Sequence, residues 1–360
     1  MKKFIAVVMT LAICLSMTSA LAASGEAMVS WYTFGDVYLS SVREALDEAL
    51  AAKGFTVNDK DANGIQQTQT DDVSTAAVSG TSVILINMVE SGSFDIAQNL
   101  MNSATTYGVP VVFFNRAVYQ EGGEAEAAEL FTGNNSAFVG TNFVEAGMMQ
   151  GDMIGEYVLA NYDALDLNGD GVISYVMFMG DLANQEAIAR TKYGVENADA
   201  ILTAAGKPAL KFYDEANSDK YLLDQNGTWS QVASNDHMNT VLSMYNAANN
   251  NMIELVIANN DDMAIGAINA LTVVGYNTGI DGDPVIPVFG VDATAAAQEM
   301  IAAGRMTGTV KQDAVGMAEA VATIAANLAE GNELFAGLNE NFNIVDGWTV
   351  NIPYSKYTGE

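Results

Sequence analysis

The sequence predicts an α/β protein of the doubly wound class, with parallel sheets shared between two domains. Three observations lead there. Apolar runs of strand length alternate with amphipathic helical stretches along the chain. Several of those runs, such as Val111-Val112-Phe113-Phe114, are apolar at every position rather than at alternate ones. The chain has 360 residues, half of them hydrophobic. Alternating strands and helices require crossover connections, which produce parallel sheets. Strands covered on both faces read as continuous apolar runs. The length exceeds one ordinary domain, and the apolar content supplies two cores.

Taken in order, strands are expected over 28–32, 83–86, 110–114, 138–140, 173–179, 255–258, 285–289 and 307–310. Each is a short apolar or β-branched run. Helices are expected between them, over 37–52, 68–79, 94–106, 142–162, 185–205, 229–246, 261–274, 293–303 and 313–329. The Gly- and Asn-rich stretches near 61–64, 131–136 and 224–228 read as surface loops. No repeat of 20 to 50 residues is visible.

The first 22 residues are set apart. Lys2 and Lys3 precede an apolar run from Phe4 to Met17, and Ala20-Leu21-Ala22 has the small-residue pattern of a cleavage site. A secretory signal peptide over 1–22 is expected, placing the mature protein in the periplasm or otherwise outside the cytoplasm. The run is too short to span a membrane comfortably. Cys14, the only cysteine, lies inside it behind Ile13, where a lipid anchor would need a small residue. Removing Lys2 and Lys3 takes the formal charge from −30 to −32. Such a surface repels nucleic acid and anionic membranes.

In parallel sheets ligands bind beyond the carboxyl ends of strands. Asp36, Asn115-Arg116, the run Asn259-Asn260-Asp261-Asp262, Asp292, and Gln312-Asp313 stand at such ends. A single Asn or Asp there is often a helix cap. A set of planar amides and carboxylates suits a neutral polyol, whose hydroxyls both donate and accept.

The segments VVFFN at 111–115, DLNGDG at 166–171, IELVIANND at 253–261, VFGVDA at 288–293 and GTV at 308–310 resemble, in order, the periplasmic galactose/glucose-binding proteins. The resemblance implies two Rossmann-like lobes joined by three crossover segments, with a sugar cleft between them. The first lobe would comprise 23–140 with 313–351, the second 141–312 with 352–360. Hinges would lie near 140–142, 311–313 and 351–354. It also implies site roles. Asp36 would bond the 4-hydroxyl. Tyr38 and Trp229 would face the two sides of the ring. Asn115, Asn260 and Asp292 would hold hydroxyls, and Arg190 would donate to the ring oxygen. Glu186, Asn184 and Gln312 replace an aspartate, a histidine and an asparagine of the family, which leaves the exact hexose open. The partners implied are an aldohexose such as glucose or galactose, an ABC transporter permease and, through the same closed form, a chemoreceptor. A monomer is expected.

The segment from Asp166 to Ser174 has the first nine positions of an EF-hand loop. Asp166, Asn168, Asp170 and Ser174 supply oxygens at positions 1, 3, 5 and 9, and Val172 a carbonyl at position 7. Position 12 is Met177, which cannot close the shell. The resemblance supplies Glu254 in its place and implies a structural Ca2+ in the second lobe. Enzymatic chemistry is not expected. The sequence has one histidine, His237, no G-x-S-x-G elbow and no P-loop. A carboxylate-dependent sugar hydrolase using Asp36, Glu186 and Asp292 is the alternative enzyme, and a binder of another monosaccharide, such as a pentose, the alternative receptor.

Overall fold

The computed structural model describes residues 25–359; the expected signal peptide lies outside them. Two seven-stranded sheets form two lobes. The first sheet contains β1 (Gly25–Trp31), β2 (Phe55–Asp61), β3 (Val83–Ile86), β4 (Val111–Phe114), β5 (Ala137–Gly140), β12 (Asn343–Val345) and β13 (Thr349–Asn351). Its order is β12-β13-β5-β4-β3-β1-β2, parallel except between β12 and β13. The second contains β6 (Ser174–Met179), β7 (Lys211–Phe212), β8 (Leu222–Leu223), β9 (Leu255–Ala258), β10 (Val288–Asp292), β11 (Gly308–Lys311) and β14 (Ser355–Tyr357). Its order is β14-β11-β10-β9-β6-β7, with β8 also paired to β6 and only β14 antiparallel. In the first lobe β1 lies between β2 and β3, and in the second β6 lies between β9 on one side and β7 with β8 on the other, so the order reverses at each of these strands. Such reversals open a crevice above the strand ends.

Helices α1 (Val37–Ala52), α2 (Gln66–Ser79), α3 (Phe94–Thr105), α4 (Glu124–Gly133) and α10 (Ala314–Glu330) cover the first sheet. Helices α5 (Phe143–Leu165), α6 (Gln185–Ala204), α7 (Gln231–Met244), α8 (Asp261–Val273) and α9 (Ala295–Ala302) cover the second. Val29, Leu85 and Val112 pack under α1 and α10, while Met28, Ile84 and Val111 pack under α2 and α3. Successive strand residues thus enter opposite cores, the reason these strands are apolar throughout. The chain passes between lobes three times: between β5 and α5, between β11 and α10, and between β13 and β14.

Several expectations are corrected. β2 was not anticipated, because FTVNDKD is a half-exposed edge strand whose charges hide the apolar pattern. The strand expected at 285–289 runs instead over Val288–Asp292. Pro284 and Pro287 lack the N–H a ladder needs, so it starts after them. The stretch at 131–136 is not simply a surface loop: Phe131 lies within α4, fully buried, stacked on Trp348 at 4.7 Å between ring centroids. Helix α7 begins two residues after Trp229, which itself has φ 57°.

Candidate functional site

Asp36, Tyr38, Asn115, Asn184, Glu186, Arg190, Trp229, Asn260, Asp292 and Gln312 all line one chamber between the lobes. The first three come from the first lobe, the next six from the second, and Gln312 from a crossover. Tyr32, Leu39 and Arg116 complete the wall. These three had a weaker signal: Tyr32 and Arg116 follow β1 and Asn115 directly, but neither is an amide or carboxylate at a strand end. The chamber is narrow, about 30 Å³.

Helix capping and cleft lining prove to be compatible roles for one residue. Asp36 caps α1 by accepting from the Leu39 N–H at 2.9 Å, while its other oxygen accepts from the Tyr32 hydroxyl at 2.9 Å. Asn184 caps α6 through the Glu186 and Ala187 N–H groups, and Asn260 caps α8 through that of Met263. Capping fixes each side chain's oxygen and leaves the Asn amide nitrogens free to face the chamber. Asn115 and Asp292 do not cap. Both have positive φ, 62° and 123°, a strained backbone for residues with side chains.

Arg190 is the hub. It is 2 % exposed. It donates to the Asn259 carbonyl at 2.9 Å, to Glu186 at 2.5 Å and to Gln312 at 3.2 Å, and lies 4.0 Å from Asp292. Glu186 and Arg190 are four apart on α6, but Arg190 is buried and Glu186 mostly so, and the pair is not a solvated surface bridge. Burial opposes the Arg190 charge, yet Glu186, Tyr354 and Asp292 around it hold its pKa above the ordinary value. Burial pushes Asp292 well above the usual carboxylate range, against the pull of Arg190. Thr141 donates to Glu186 at 2.9 Å and Tyr354 donates to Thr141 at 2.8 Å. Both belong to crossovers, so the site's charge pair is tied to segments between the lobes.

Trp229 is buried against Met179 and Ala187. A side chain on Gly180 would come within 2.3 Å of the indole, so the bare glycine backbone is what lets the ring lie there. Asp261, just behind the chamber, is fully buried. It accepts from the Thr294 N–H at 2.7 Å and the Thr309 hydroxyl at 2.6 Å, gripping the turn after Asp292. Burial pushes it up to about 7, opposed by its bonds to Thr309 and Thr294. An unfolded aspartate titrates near pH ~4. Its contribution to stability is therefore full below about pH 4 and lost as pH rises through about 7. The melting temperature should fall between about pH 4 and about pH 7, and Asp261→Asn should flatten part of that fall. Parallel profiles for the two proteins would refute this.

The calcium-type loop and Glu254 do meet. Glu254 is fully buried and accepts from the Leu167 N–H at 2.8 Å, the Ser174 N–H at 2.7 Å and the Ser174 hydroxyl at 2.9 Å, closing both ends of the loop. Burial raises its pKa, against these bonds. Within the loop Asp166, Asn168 and Asp170 accept from the N–H groups of Gly171, Asp170 and Val172. The second oxygen of Asp166 is buried without a partner, as a ligand for a hard cation would be. Among the described residues no three acidic, His or Cys side chains gather in a metal-holding group, so such an ion would depend on Asn168, the Val172 carbonyl, Ser174 and water as well. His237 is half-buried on α7, 2.9 Å from the Leu223 carbonyl and away from the chamber. Among the described residues no helix is long and apolar enough to cross a membrane.

Residues 27–333 match the family described as periplasmic binding protein domain. The chain is 32 % identical to the D-galactose/methyl-galactoside binding periplasmic protein MglB of Haemophilus influenzae, over 97 % of this chain and 95 % of that one. It is 27 % identical to a putative rhizopine-binding protein of Rhizobium meliloti, over 96 % of each. An ABC transporter solute binding protein of Clostridium phytofermentans, solved with bound β-D-glucose, shares the fold with a TM-score of 0.69 at 17 % identity, covering 92 % of this chain and 94 % of that one. Two mostly parallel α/β lobes, a chamber built from both, and similarity along nearly the whole length agree: the chain belongs to the periplasmic binding protein family, among its type I sugar-binding members.

Proposed function

We propose that this protein captures an aldohexose of the glucose or galactose kind between its lobes and delivers it to an ABC transporter permease. One observation carries the reading. The Tyr38 hydroxyl, Arg116 Nε, Arg190 Nε and Gln312 Nε2 are all buried without a protein partner, and all four residues line the same chamber. Each such group costs about 1–3 kcal/mol unless it is hydrogen-bonded. A polyol offering donors and acceptors in every direction would satisfy them together. Members of this family are binding proteins, and the relatives named for or solved with sugars include galactose and glucose binders.

A chamber of 30 Å³ holds a water or two and no sugar ring. Entry therefore requires the lobes to part about the three crossovers, and the ligand favours closure by bonding to both lobes. The transporter, and a chemoreceptor if one is served, would read the closed form. The expected signal peptide would carry the chain to the periplasm, and Ca2+ in the Asp166–Ser174 loop would act structurally, since its ligands all belong to the second lobe.

Titration calorimetry against a panel of hexoses and pentoses tests the reading. Glucose or galactose should bind most tightly. Tight binding of a pentose alone would change the assigned sugar, and binding of an amino acid with no sugar bound would defeat the proposal. Trp229→Ala should weaken hexose binding by about 1–3 kcal/mol through lost ring stacking. Trp229→Phe keeps a ring and should recover part of that loss. Unaltered affinity in the alanine variant would make the indole a packing residue only.

A further inference from the structure

Two of the Gly- and Asn-rich stretches come from opposite lobes and face each other. The loop at 61–64 and the loop at 224–228 line a second chamber of about 410 Å³ at the mouth of the cleft. Tyr32 and Arg116 line both this outer chamber and the inner one, so the two are neighbours sharing a wall. At that wall Arg116 lies over the Tyr32 ring at 4.1 Å and crosses to Asp181 of the other lobe at 3.3 Å. Its Nε is buried without a partner.

Both loops are held in shape. Asp61 accepts from the Asn63 N–H at 2.8 Å, and the Gly64 N–H donates to the Tyr32 carbonyl at 2.7 Å. Asp224, 2 % exposed, accepts from the Asn226 N–H, the Thr228 hydroxyl and the Ser230 N–H, each at 3.0 Å. Its carboxylate is spent on the loop, which leaves Gln225 and Asn226 to face the chamber.

We propose that the outer chamber is a second carbohydrate subsite, and that the protein takes a hexose carrying a second sugar unit. This rests on reading the inner chamber as a sugar site. The volume falls in the range of small-molecule sites. The amides of Asn63, Gln225 and Asn226, with Arg116 and the Tyr32 ring, repeat the palette of the inner chamber. Arg116 and Asp181 compensate each other's charge and the Asp224 carboxylate, also in the lining, is taken up by its own loop, so neither a phosphate nor an ammonium group finds a free counter-charge and a neutral polyol is favoured.

The test is calorimetry of the protein and of the double variant Asn63→Gly, Asn226→Ala with glucose, galactose, lactose, melibiose, cellobiose and maltose. Glycine suits the φ of 51° at position 63 while removing the amide. At least one disaccharide should bind about tenfold more tightly than its own monosaccharides, as one or two added hydrogen bonds imply. The double variant should abolish that gain and leave monosaccharide affinity within about twofold. Monosaccharide binding with every disaccharide weaker overturns the outer subsite and leaves the inner reading standing. A disaccharide gain that survives the double variant removes these loops from the assignment. No binding of any of the six sugars defeats both.

Discussion

Replacing Arg190 by methionine should lower sugar affinity by at least about a hundredfold, the largest effect expected of any single substitution in the cleft. The guanidinium sits among Glu186, Asp292 and Gln312 with almost no solvent contact. Methionine fills much of the volume but leaves two carboxylates buried with no cation between them. Breaking a buried pair in this way costs about 3–5 kcal/mol, so the melting temperature should fall as well. Asp292, which burial already holds above the usual carboxylate range, would lose the opposing pull of Arg190 and rise further, and residual binding should depend more steeply on pH than in the parent protein. Arg190→Lys should land between the two. It restores the charge but not the planar fork that reaches the Asn259 carbonyl, Glu186 and Gln312 together. Calorimetry at a fixed pH, paired with a melting curve, separates lost binding from lost folding. Parent-like affinity in the methionine variant would show that the ligand does not sense this network.

The second large effect is expected far from the cleft, at Glu254. Its carboxylate receives three hydrogen bonds from the loop between Asp166 and Ser174, two of them from backbone N–H groups. In Glu254→Gln the new amide NH2 turns a donor toward donors in a fully buried place. The cost is about 1–3 kcal/mol, and melting should shift down by several degrees. Calcium gives the experiment a second arm. An ion bound only by the folded protein raises stability by mass action. Chelation should therefore lower the melting temperature of the parent protein, added calcium should restore it, and the glutamine variant should respond little to either. If chelation leaves the parent curve unmoved, the loop is an Asp- and Asn-braced turn closed by Glu254 alone.

Much of the fold was legible because its signals are local. A helix on a sheet shows the period of its buried face, and a strand covered on both sides shows unbroken apolarity. Helix α1 and strands β3 and β9 fall where those patterns place them. β2 and the two-residue strands β7 and β8 were not legible, since short or half-exposed strands bury too few side chains to impose a period. The shift of β10 came from prolines whose missing N–H groups outweighed the apolar character of Val285 and Ile286. Within the site, residues at strand ends were found because parallel topology sends every such end toward the crevice. Tyr32, Thr141 and Tyr354 were not, because an aromatic after a strand or a threonine beside a crossover looks like any other until the chain is folded.

By itself the sequence determined most of the succession of strands and helices, the cover on both faces of the sheets, and the amides and carboxylates standing where strands stop. These depend only on a residue's place in its own element. The tertiary structure alone decided that side chains from positions 32 to 312 close around one chamber. It also decided that Glu186 pairs with a buried Arg190 inside the cleft rather than on a solvated surface, and that loops near 63 and 226 confront each other across the mouth. Such meetings follow from two sheets joined by three crossovers, where contact is set by how the lobes are juxtaposed, and no local period records that.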